Sequence, residues 1–177
     1  YKMKKLIFIG FAIFSLVSIS AFTLLSDWKI DSGYSISFDS DDASGDFEKF
    51  SGKISFDPKN LKSSNFDVVI DVASINTGNW LQDRHAKNDE WFDAEKFPTI
   101  TFKSSKVFKT ASGYFTEGTL TIREISKIIK IPFTFTPNAG NGIFEGGFTV
   151  NRMDFKIGKE GKVKDQIKIK LKVPVTN

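Results

Sequence analysis

The run Val163-Lys164-Asp165-Gln166-Ile167-Lys168-Ile169-Lys170-Leu171-Lys172-Val173-Pro174-Val175 decides the fold. From Ile167 onward every second residue is apolar, and Lys168, Lys170 and Lys172 stand between them. An extended strand points successive side chains to opposite faces, so this run has one face for a core and one for water.

The same period of two recurs toward the N-terminus. Trp28, Ile30, Tyr34, Ile36 and Phe38 share one parity, and Phe50, Gly52, Ile54 and Phe56 follow. Further runs are Phe66-Val68-Ile70-Val72, Ile100-Phe102 after Pro98, Gly118-Leu120-Ile122, Ile129-Ile131-Phe133-Phe135 and Phe144-Gly146-Phe148-Val150. The turn-rich stretch 137–142 separates two of them. About eight strands with short connections make an antiparallel sheet, which closes into a barrel or pairs with a second sheet. Glycines 45, 52, 146 and 147 suit bulges or tight corners. Residues 79–97 lack the alternation and read as a helix or ordered loop, with Trp80, Arg84, Lys87 and Trp91 at helical spacing.

The chain has 177 residues, enough for one domain with a core of its own. Its 19 Phe, against 3 Trp and 3 Tyr, bring large apolar area without a polar handle. Such an excess means a thick core or an apolar cavity. There is no Cys, which excludes thiol catalysis, disulfides and Cys-ligated zinc. The formal charge of +4 includes Lys2, Lys4 and Lys5; without those three, 22 basic residues face 21 acidic ones. That balance gives no electrostatic case for nucleic acid. Acidic residues 39–48 near the start and lysines 156–172 near the end read as solvated strand faces, with a docking surface as the alternative.

The first 20 residues read as a secretory signal peptide, with Met3 as the start. Lys4 and Lys5 supply the positive region, Leu6 to Val17 the apolar run, and Ser18 and Ser20 the small residues before a cut at Ala21. The uncharged stretch continues to Ser26, so an uncleaved anchor is the alternative. Both place the domain of residues 27–177 outside the cytoplasm, periplasmic or secreted.

The densest polar cluster is Gln82-Asp83-Arg84-His85 with Asp89, Glu90 and Asp93. A hydrolase would use His85 as base, oriented by Asp83. A metal would take His85, Asp89 and Glu90, but one His makes a poor zinc site. No nucleophile elbow or phosphate-cradling loop accompanies the cluster. The expectation is therefore no catalytic residue, no metal and no cofactor. Arg152 has Asp154 within reach as an ion-pair partner, or else an anionic ligand head.

Several ordered segments are similar to the YceI-like family. They are Phe56-Asp57-Pro58, then Ser74 to Asn79, Asp83-Arg84-His85, Trp91-Phe92-Asp93 and Phe97 to Phe102. Gly118 to Ile122 with Lys127, Phe144-Glu145-Gly146 and Asn151 to Phe155 complete the series, from Trp28 to Val173. The resemblance implies an all-β, eight-stranded antiparallel lipocalin-like barrel with a short helical insertion. It also implies an internal tunnel for a long isoprenoid or other fatty amphiphile, homodimers, and bacterial export. Membrane contact is then transient unless the leader is retained. Two positions depart from the family pattern. Glu124-Ile125-Ser126-Lys127 stands where Gly-Val-Thr-Lys is common, and Ala86 stands where a larger apolar residue is usual.

The leading expectation is a non-catalytic lipid carrier. An apolar tube releases acyl or prenyl surface from water, about 0.8 kcal/mol per methylene. Expected walls are Phe38, Phe56, Phe66, Ile70, Trp80, Phe102, Phe133, Phe135, Phe148 and Ile169. Expected head-group contacts are Asn79, Arg84, His85 and Arg152. The competing readings are an exported stress-response or interaction module acting through protein contacts, and the Asp83–His85 hydrolase.

Overall fold

The structure is a computed structural model that describes residues 27–177; the leader expected over residues 1–26 lies outside them. Eight ribbons close into one antiparallel barrel. Three ribbons are broken in two: β1 (Asp27–Ile30) with β2 (Ser35–Asp39), β3 (Ser44–Phe47) with β4 (Phe50–Ser55), and β5 (Asn65–Asp71) with β6 (Ile75–Asn76). Five are continuous: β7 (Thr99–Thr110), β8 (Gly113–Ile122), β9 (Ile125–Asn138), β10 (Asn141–Asn151) and β11 (Gln166–Thr176). The last strand closes the ring, pairing Lys168–Lys172 with Asp39–Ser35 and Val175–Thr176 with Ile30–Lys29. Closure pairs the ribbons all the way round, although β9 and β10 pair only over 133–138 and 141–146 and diverge beyond.

The three breaks lie side by side, and two hydroxyls take up the backbone groups that the ladder leaves there. Tyr34 Oη donates to Glu48 O at 2.9 Å and accepts the Phe50 N–H at 3.1 Å. Ser74 Oγ accepts the Lys49 N–H at 3.0 Å and donates to Asp71 O at 2.6 Å.

The apolar parity faces inward on every ribbon. Ile36, Ile54, Phe66, Ile100, Phe102, Leu120, Ile131, Phe144 and Val173 are all buried. One end of the barrel is packed solid. Phe56 is 1% exposed there, with the rings of Tyr114, Phe133, Phe135 and Phe144 at 5.1–5.6 Å in edge-on arrangements. Trp28 adds its ring to Phe135 at 5.1 Å and donates Nε1–H to Phe56 O.

The opposite end carries the irregular segments. The helix α1 (Trp80–Ala86) starts at Asn79, whose side chain accepts the N–H groups of Leu81 and Gln82. A short helical turn, Arg152–Phe155, and the segment running to β11 complete this end. The Lys-rich strand and the acidic start of the domain are neighbours here. Lys168 lies opposite Asp39, Lys164 Nζ is 3.2 Å from Asp41, and the Lys164 N–H bonds Asp42. The two charge runs, distant in sequence, thus meet through the exposed pair Lys164–Asp41 and the register pair Lys168–Asp39, while Lys159 and Lys172 pair with Glu90 and Glu145.

Candidate functional site

Above the aromatic floor the barrel is hollow, with a cavity of about 680 Å³. Its wall is the inward parity of the strands. Phe38, Phe50, Val68, Ile70, Phe148, Ile167, Ile169 and Leu171 line it and keep part of their surface accessible. In a filled barrel the same positions would be buried, since eight strands leave room for either side chains or one ligand. The walls stay thin because aromatic rings lie across glycines. An added Cβ at Gly45 would come within 2.8 Å of Phe38 Cζ, and one at Gly118 within 2.7 Å of Phe102 Cζ.

The polar lining is concentrated at the end bearing α1. Asp42, Gln82, His85 and Lys162 line the cavity and are exposed, which marks where it meets solvent. Glu90, also in the lining, is 3.1 Å from Lys159. Deeper in, Thr116 is an isolated polar side chain, 4% exposed.

Two arginines hold the loops around this mouth. Arg152 is 2% exposed and gives its donors to the carbonyls of Ile157 (2.6 Å), Lys159 (2.9 Å), Val163 (2.9 Å) and Lys164 (3.2 Å). Its Nη1 also meets Met153 Sδ, and its Nη2 is 2.8 Å from Asp165 Oδ1. That oxygen has no other hydrogen-bond partner, so the contact is an ion pair in character. Trp91 lies under the guanidinium, 5.8 Å from ring centre to Cζ. Arg123 donates to the carbonyls of Asp89, Trp91 and Lys156 from the β8–β9 turn. Nothing in the local sequence marks Arg123 out; only the fold brings these three carbonyls to it.

Of the expected wall, Phe38, Phe66, Ile70, Phe102, Phe133, Phe148 and Ile169 line the cavity, and His85 stands at its mouth. Phe56 and Phe135 do not line it; they belong to the floor. Alternation tells which face a residue takes, but not its height along the barrel axis. Trp80 is 73% exposed, outside the cavity, with Arg84 stacked over its ring at 5.7 Å. The pair sits at i and i+4 on one helix face, while Gln82, His85 and Ala86 turn to the cavity. Asn79 caps the helix and does not line the cavity. Arg152 borders it, but its five N–H donors are already engaged, and its ionic partner is Asp165 rather than Asp154. Gln82, Lys162 and Thr116 are lining residues that the sequence reading omitted.

Asp83 does not orient His85. Its Oδ1 accepts the Thr77 hydroxyl and the Thr77 N–H, each at 2.7 Å. These bonds, the hydroxyl first, hold the carboxyl below the ordinary value of 3.8. No group of three or more His, Asp or Glu among the described residues is placed to hold a metal ion.

A closed antiparallel barrel with a packed floor, an apolar hollow and a polar mouth places the molecule among the lipocalin-like β-barrels. Within that class it belongs to the YceI-like domain family, whose sequence profile matches residues 28–175. A UPF0312 protein of Yersinia enterocolitica is 33% identical over 109 residues, 60% of this chain and 57% of that one. A UPF0312 protein of Vibrio parahaemolyticus is 37% identical over 103 residues, 58% of this chain and 54% of that one. The chain thus matches little more than half the length of these relatives. Among solved structures, Burkholderia cenocepacia BcnA superposes with a TM-score of 0.80 at 27% identity, covering 84% of this chain and all of that one. The Campylobacter jejuni YCEI protein gives 0.71 at 26% identity, with 99% of each chain covered. A polyisoprenoid binding domain from Saccharophagus degradans, at 13% identity and a TM-score of 0.60 over 86% of this chain and 94% of that one, shares the fold.

Proposed function

We propose that the protein binds one long apolar lipid chain, isoprenoid or another fatty amphiphile, inside the barrel and carries it without chemical change. The observation that carries this reading is the hollow itself: about 680 Å³ lined by inward apolar side chains that keep accessible surface. A hydrocarbon chain buried there leaves water at about 25 cal/mol per Å². The polar groups gather at one end, as a carrier of amphiphiles requires. Family membership supports the same reading, and the Saccharophagus degradans domain described as polyisoprenoid binding uses the same barrel. The leader read from residues 1–20 puts the carrier outside the cytoplasm.

The hydrolase reading loses its support, because Asp83 is committed to Thr77. The interaction-module reading has less to rest on where Lys164 meets Asp41 and Lys168 stands opposite Asp39. Mass spectrometry of organic extracts from protein purified without detergent tests the proposal. The expected result is a reproducible, stoichiometric lipid. No extractable lipid, together with no uptake of a fluorescent fatty-acid probe, would sink it.

A further inference from the structure

Thr116 sits on β8 one inward position above Tyr114, whose ring packs in the floor. Its cross-strand partners are Val107 and Ile131, both buried and apolar. Thr116 lines the cavity toward the aromatic floor, far from the polar mouth in the order of the strand. Its Oγ1 is wholly covered and meets no hydrogen-bonding group of the protein. A buried hydroxyl without a partner is unfavourable, and Val fills the same space without that penalty. The residue therefore weakens the barrel unless something that enters the cavity uses it.

We infer that Thr116 is a deep polar subsite that hydrogen-bonds an uncharged oxygen of the bound lipid, a hydroxyl or a carbonyl, at the floor end of the cavity. This rests on the carrier reading and deepens it. A turn of about 120° about χ1 carries the hydroxyl to another staggered position, and because the residue lines the hollow the oxygen can turn to meet a ligand there. The group must be neutral. Val107, Ile131, Phe66 and Phe133 surround this end, and no basic side chain accompanies them to offset a desolvated phosphate or carboxylate. The lipid then carries its neutral polar atom at the end that enters first, or at both ends. The mouth, with His85, Gln82 and Lys162, is left for whatever remains outside.

The test uses the full chain and two probes of equal length, hexadecane and hexadecan-1-ol, each displacing a fluorescent fatty-acid probe. Wild type should prefer the alcohol, Thr116→Val should lose that preference, and Thr116→Ser should restore it. The expected loss for the alcohol is roughly three- to tenfold, with hexadecane unchanged or tighter. Equal effects of Thr116→Val on both probes would make the residue a matter of cavity shape and overturn the inference. An unchanged alcohol preference would overturn it too, leaving a buried water as the partner of the hydroxyl. If wild type takes neither probe, the carrier reading fails first and the subsite with it. Thermal unfolding of Thr116→Val checks the fold, and that variant should be as stable as wild type or more so.

Discussion

Phe38 lies edge-on across Gly45 of the neighbouring strand, so close that a Cβ at residue 45 would come within 2.8 Å of its ring. The ring is pressed to the wall because the residue beside it has no side chain. Gly45→Ala should therefore tip Phe38 toward the hollow and press on Asn76 O, 2.5 Å from the added carbon. The expected cost is about 1–3 kcal/mol of stability together with weaker uptake of a fluorescent fatty-acid probe. Denaturant titration and probe titration read the two effects separately; unchanged uptake would mean that ring position does not set the usable space.

A polar group on an accessible stretch of wall should act on binding more than on folding. Ile169 lines the cavity and is only half-buried, unlike Phe56 at the centre of the floor. Ile169→Asn removes an apolar contact with the ligand chain, so probe affinity should fall about tenfold. A small change in melting temperature should accompany it. A large fall in stability with intact binding would place Ile169 in the packed core instead.

Arg152 should matter for the fold of the mouth rather than for ligand charge. Lys in its place offers one ammonium where the guanidinium serves four carbonyls and Asp165. Arg152→Lys should cost roughly 2–4 kcal/mol. Hydrogen exchange should quicken in residues 156–165 specifically. Faster exchange spread evenly over the barrel would contradict this localisation.

The β8–β9 turn holds Arg123 at φ 50 and Glu124 at φ 65, both in the left-handed region. Arg123 is kept there by three carbonyls, but no hydrogen bond or ion pair of the Glu124 side chain offsets its conformation. Glu124→Gly should raise stability by about 1 kcal/mol, as measured by chemical denaturation.

Asp83 gives a pH dependence whose sign follows from its lowered carboxyl. The charged form is favoured by Thr77 in the folded state, so the stabilisation is complete above 3.8 and fades as pH falls through the lower, folded value. Thr77→Val should be less stable than wild type at neutral pH, and the two should converge in strong acid. A gap that stays constant to the lowest pH would show that the bond to Asp83 is not its source. His85→Ala should leave the gap in place, since His85 takes no part in it.

How much was legible in the sequence follows from what each pattern encodes. Alternation from Trp28 to Val175 marked the strands and sorted their side chains onto two faces, because side-chain direction in a strand depends only on odd or even position, but it left open which face turns inward. The fold decided that Phe38, Ile70 and Ile169 lie on the inner face. The breaks at Tyr34, Glu48 and Ser74 were not visible, because their hydroxyl bridges join residues from different ribbons.

Tertiary structure alone decided what the inner face encloses. The same Phe-rich parity makes a solid floor around Phe56 and a hollow beside Phe148, and only the height of each residue along the barrel separates the two. It also decided that Trp80 points away while Ala86 points in, since a seven-residue helix has two faces and the strands around it choose between them. Arg152 reads in sequence as a charge awaiting a partner. In the fold its donors are spent on a loop that ends 13 residues further along the chain, because only the folded loop returns Asp165 to it. Local order follows from the residues themselves; space, height and satisfaction depend on which distant backbone comes to meet them.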